Sequence, residues 1–133
     1  MKNYYQIKGM GYVLPKPIYR KTVNTIRAYN FYRSLSNQAD EDGELNKSLD
    51  RCKVERVEVN AAMADFFINA IHEALRDYVV AEYREAVLVH LTEGRTYGDL
   101  EEKFGISVST LKRWTQRFVY GVATVLGENY FGE

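Results

Sequence analysis

The chain has 133 residues, 46% of them apolar and 27% charged, with 18 basic and 18 acidic side chains that leave no formal net charge. That length fits one domain, or one domain with an ordered arm, and the apolar share supports a core, which excludes a disordered chain. No run could span a membrane and no secretory signal opens the chain, while a lone Cys52 excludes an internal disulfide or a multi-cysteine zinc site, so a cytoplasmic chain is expected.

The zero total hides three blocks of charge. Residues 1–39 carry seven Lys or Arg and no acid, residues 40–102 carry sixteen acids against seven bases, and the balance after that is positive again. A polyanion responds to the local field, so the neutral total does not argue against nucleic acid. The acidic middle reads equally as a solvated helical surface or as a face for a basic protein.

Met1 to Leu14, rich in tyrosine with Gly9 and Gly11, reads as an arm, too short for a phosphate-binding loop with its strand and helix. Pro17 is well placed as the first residue of a helix, where its missing N–H is not needed. That helix should run to about Leu35, with Tyr19, Val23, Ile26 and Tyr29 or Asn30 on one side and Arg20, Lys21, Arg27 and Arg33 elsewhere. Interleaved aromatic and basic residues can stack bases and hold phosphates; the same pattern also describes a core face and its rim. The basic arm and helix thus occupy 1–36, and a polar acidic stretch at 37–48 has the composition of an exposed, mobile loop.

Residues 49–127 form the expected helical domain, followed by a tail at 128–133 with Tyr130 and Phe131. A first helix from about Leu49 to Tyr78 carries a wide stripe of Met63, Phe66, Phe67, Ala70, Ile71, Ala74, Leu75 and Tyr78. A stripe of this width is read as core, with a homodimer seam as a second use open to it. Val54, Val57 and Val59 are β-branched and blur where the helix begins. A second helix, Ala81 to Glu93, turns Tyr83, Val87, Leu88 and Leu91 inward and stops before Gly94.

Thr96 to Phe118 then reads as a helix-turn-helix. Thr96 is an N-cap with Asp99 as the reciprocal carboxylate of a capping box, and a short helix runs through Leu100 to Phe104. Gly105 supplies the left-handed C′ position, Ile106 plugs the corner, and Ser107 caps a second helix. Leu111, Trp114, Phe118 and Val122 form the inner face of that helix. Ser109, Thr110, Lys112, Arg113, Gln116 and Arg117 lie opposite, and no carboxylate occurs from Lys103 to Gly127. Such a face suits the major groove of double-stranded DNA. Arg113 and Gln116 are the expected base readers, Lys112 and Arg117 the expected phosphate ligands, and Ser107, Ser109 and Thr110 complete the contact set. The same cap, turn and amphipathic helix also occur in ordinary helical bundles.

No catalytic constellation is visible. His72 and His90 fall on separate helices outside any H-E-x-x-H arrangement, and Glu101 and Glu102 are adjacent, so they diverge on a helix. We therefore expect an all-α, non-enzymatic chain without cofactor or metal, with both histidines at the surface or its boundary and Cys52 as a plain buried thiol.

The stretch Ala74-Leu75, Glu82-Tyr83-Arg84-Glu85, Val87-Leu88, Gly94, Thr96-Tyr97, Leu100, Phe104-Gly105-Ile106-Ser107 and Thr110-Leu111-Lys112-Arg113 resembles region four of bacterial sigma factors. That resemblance implies promoter recognition and contact with RNA polymerase. Tyr12 to Pro17 with Tyr19-Arg20-Lys21, the variable polar loop, the long helix, Arg113-Trp114 through Phe118, and Leu126-Gly127 are together similar to small phage and prophage regulators of the ArpU and RinA-like group. This likeness implies transcription control in a temperate phage or integrated element. Two other readings are open: a small terminase subunit that marks packaging sites, and a phage-encoded inhibitor of a host protein, such as an anti-CRISPR.

Overall fold

A computed structural model describes residues 6–36 and 51–127, and the backbone alone over 51–60. The acidic loop at 37–48, the tail with Tyr130 and Phe131, and the side chains of Cys52, Val54, Val57 and Val59 lie outside the described residues. Within that range the chain is all-helical, as its periodicity predicts. The order is α1 (Lys16–Arg27), α2 (29–36), α3 (Arg51–Tyr78), α4 (Ala81–Glu93), α5 (Tyr97–Phe104) and α6 (Val108–Val125), preceded by a 3-10 turn at Lys8–Met10. The helix expected to reach Leu35 is interrupted at Ala28. There one N–H is shared between the carbonyls of Asn24 and Thr25, and Tyr32 N–H resumes the ladder on Ala28.

α6 is the hub of the fold, packing against α1, α3, α4 and α5. Its composition explains why: Phe118, Val119, Val122 and Ala123 are fully buried and meet Val23 and Ile26 of α1, Ile71 and Ala74 of α3 and Val87 of α4 in one apolar cluster. The phenylalanine, isoleucine and valine side chains among them each contribute roughly 1.5–3 kcal/mol when fully removed from water. Tyr19 and Tyr29 also lie in this core, 2% and 6% exposed, so these two rings are packing groups, whereas Phe31 of α2 is 61% exposed. The Arg84 guanidinium closes the end of α3, donating from Nε to the carbonyls of Leu75 and Val79 and from Nη2 to that of Arg76. These are the orphan acceptors that any helix leaves at its C-terminus.

The wide stripe of α3 divides in two. Ala70, Ile71, Ala74 and Leu75 are buried as expected of core, whereas Met63 and Phe66 are 56% and 57% exposed. Among the described residues, Phe66 meets Phe67, and Phe67 stacks on Tyr32 of α2 at 5.0 Å. The core expectation therefore fails for the first two turns of the stripe. The reason is geometric: α6 crosses α3 near its C-terminal end, at Tyr78, and the helix outruns its partner.

His90 also departs from expectation. It is a buried residue, 7% exposed, stacked on Tyr97 with centroids 4.1 Å apart and with Nδ1 2.6 Å from the carbonyl of Arg95. Burial holds its pKa below the ordinary histidine value, the Arg95 carbonyl opposes that shift, and the charge of Arg27 adds to it. A base whose folded pKa is depressed binds more protons when unfolded, so stability should rise with pH across this window. Expressed as an outcome, the unfolding midpoint should fall as pH drops below about 6.5, and His90→Gln should flatten that dependence. An unchanged slope in the variant would assign the pH effect elsewhere. His72, by contrast, is exposed and pairs with the Tyr29 hydroxyl at 2.9 Å.

Candidate nucleic-acid interface

α4, α5 and α6 pack together as a three-helix unit. Its two turns are built by the residues that the sequence offers for them. Thr96 Oγ1 accepts the N–H of Asp99 at 3.1 Å, and Gly105 closes α5 at φ 68°, a conformation that a Cβ disfavours. Ser107 Oγ accepts the N–H of Thr110 at 3.3 Å and opens α6. Ile106 plugs the corner: with Tyr97, Phe104 and Val89 it covers a small second core of Ala86, Leu100 and Leu111. This unit fixes the direction of α6 relative to α5, which is what a helix entering a groove requires.

The expected contact set does not survive as a block. Ser109, Lys112 and Arg113 are exposed on the outward side of α6. Arg113 has no hydrogen bond or ion pair with the described residues, and Lys112 Nζ lies 5.7 Å from the Tyr97 ring centroid. Ser107 and Thr110 are engaged with each other, the Ser107 hydroxyl donating to Thr110 Oγ1 at 2.8 Å, so their groups serve the cap first. The Glu101 carboxylate reaches the first N–H of α6, at Val108, from 3.3 Å. Though no acid lies on α6 itself, one from α5 thus stands at its N-terminus, where the helix dipole favours negative charge.

Gln116 is a correction. Read from the sequence as an adenine reader, it is 2% exposed and entirely taken up by the N-terminal segment. Its Oε1 accepts the N–H of Ile7 at 2.6 Å, and its Nε2 donates to the carbonyls of Ile7, Gly11 and Tyr12 at 3.0, 3.2 and 3.2 Å. Its amide supplies the donor and acceptor pattern that an unladdered backbone loop lacks.

Arg117 is the second correction. Its guanidinium sits between the rings of Tyr12 and Trp114, 4.6 Å from each centroid, and its Nε is buried with no hydrogen-bond partner among the described residues. Stacked cations of this kind gain from about 0.5 to 2 kcal/mol from the rings. Arg117 is a packing cation held by the arm rather than an unengaged phosphate ligand. Trp114 is half-buried, lying against Tyr83 of α4 on one side and Arg117 on the other. The sequence missed this whole docking, for which the only hint was a glycine-containing segment before Pro15 with no secondary structure to satisfy its backbone.

Within the all-helical described range, the capped, glycine-turned pair of α5 and α6 over a small core is a helix-turn-helix domain. The comparison with known families agrees: a helix-turn-helix domain matches residues 84–119, from the fourth residue of α4 well into α6. No curated protein and no solved structure matches the chain. The domain supports a DNA-binding role. Among the described residues no helix is long and apolar enough to cross a membrane, and no group of three metal-ligating side chains converges.

Proposed function

We propose that this chain is a sequence-specific, DNA-binding transcriptional regulator of phage or prophage genes, acting in the cytoplasm without catalysis or cofactor. The observation that carries the reading is the outward side of α6, where Ser109, Lys112 and Arg113 stand exposed on a helix fixed by two caps and a left-handed glycine. An exposed guanidinium in the first turns of such a helix can bind guanine through two parallel hydrogen bonds, and a neighbouring ammonium can hold phosphate. The similarity to sigma region four supports RNA polymerase as a second partner, and the likeness to ArpU and RinA-like regulators supports the phage setting.

Selection of duplexes from a random pool tests this reading. Arg113→Ala should weaken binding to the selected sequence by about 1–3 kcal/mol more than to random DNA, because it removes base contacts. Lys112→Ala should weaken both alike. Equal losses for Arg113→Ala on the two kinds of DNA would remove its assignment as a reader, and no enriched sequence would sink sequence-specific binding.

A further inference from the structure

The geometry points to a second DNA-contacting element, which rests on the DNA-binding reading above: the loop at residues 6–14 is a fixed part of the interface, and Lys8 at its crown binds a phosphate beside the groove that α6 enters. Ser109 and Gln116 lie about two turns apart on one stripe of α6, with Lys112 and Arg113 flanking that line. Gln116 is where the loop is tied down. The loop therefore stands on the continuation of the surface that presents Ser109, Lys112 and Arg113, and a duplex laid along that surface meets it.

Such a loop must either join the contact or be lifted away. Its construction favours joining. Gln6 clips the loop shut, donating from Nε2 to the Leu14 carbonyl at 3.0 Å and accepting the Leu14 N–H at 2.9 Å. Leu14 is 2% exposed in the main core, and Tyr12 packs edge-on against Tyr120 at 5.2 Å. Lifting the loop would exchange the Gln116 hydrogen bonds for bonds to water, unstack Arg117 from Tyr12 and draw Leu14 out of the core, and returning buried apolar surface to water is costly. The charge is also suitable. No acid occurs before Asp40, and Lys8 and Gly9, in the turn bracketed by the Gln116 contacts, are exposed. Like any cation set on a phosphate, Lys8 would release a counterion and impose salt dependence.

The test follows binding of a fluorescently labelled random-sequence duplex through a salt series, using the full chain. Lys8→Ala should leave the fold unchanged and shallow the log–log salt slope by about 0.9. Gln116→Leu keeps the side-chain volume but removes the four hydrogen bonds; it should shallow the slope similarly, and the double variant should be no worse than either single one. An unchanged slope for Lys8→Ala, with Arg113→Ala still impaired on its selected sequence, overturns the inference and leaves the DNA-binding reading intact. Tighter binding by Gln116→Leu also overturns it, because the loop would then be a cover. No shift by the unaltered chain at any salt removes the DNA-binding reading, and the inference with it.

Discussion

Phe118→Ala should lower the unfolding free energy by about 3–5 kcal/mol, the range for truncating a large aromatic in a packed core. Phe118 is fully buried on α6, in the cluster that joins α1, α3, α4 and α6. Truncation removes contacts to several helices at once, and neighbours fixed by their own packing can refill only part of the void. Domains of this kind are typically stable by about 5–15 kcal/mol, so the variant should be marginal. Urea unfolding followed by circular dichroism reads the change directly. A loss below about 1 kcal/mol would mean that the site collapses freely and that α6 is not the hub described here.

Gly121→Val should be the next most damaging, about 1–3 kcal/mol or somewhat more, for the opposite reason: there is no room. A Cβ at Gly121 would lie 2.5 Å from Cδ1, 2.6 Å from Cγ and 3.0 Å from Cβ of Tyr78. These atoms are at the root of the ring rather than its tip, so rotating the side chain relieves little. The α3 and α6 backbones would have to part. Tyr78→Ala made in the same chain should recover much of the loss, since coupling is expected between residues in contact. Additive effects of the two substitutions would show that the close approach is absent in solution.

The helix-turn-helix was legible because each of its parts has a chemical signature within a few residues. Thr96 and Ser107 are side chains that can accept an orphan N–H, Gly105 is the residue that enters the left-handed region freely, and Leu100, Ile106 and Leu111 are apolar where the corner needs filling. Ala81–Glu93 likewise appears where its periodicity and Gly94 place it. What could not be read were the decisions made over long separations. A glutamine on the polar side of an amphipathic helix has the same local pattern whether it faces water, a base or a distant backbone, and only the fold brings Ile7, Gly11 and Tyr12 to Gln116. For the same reason Arg117 looked like a free cation. Met63 and Phe66 erred in the other direction, because helical spacing gives the width of an apolar face and not the length over which a partner covers it.

The tie between Ile7 and Gln116 joins positions 109 apart in the chain. During synthesis the opening segment leaves the ribosome long before the helix that receives it, and a contact of such long range is made late in folding. Until α6 has emerged, Ile7, Gly11 and Tyr12 have no amide to meet, and Leu14 has no complete core to enter. A nascent chain halted within α5 therefore cannot seat residues 6–14, and the assembled surface forms only once translation has passed Gln116.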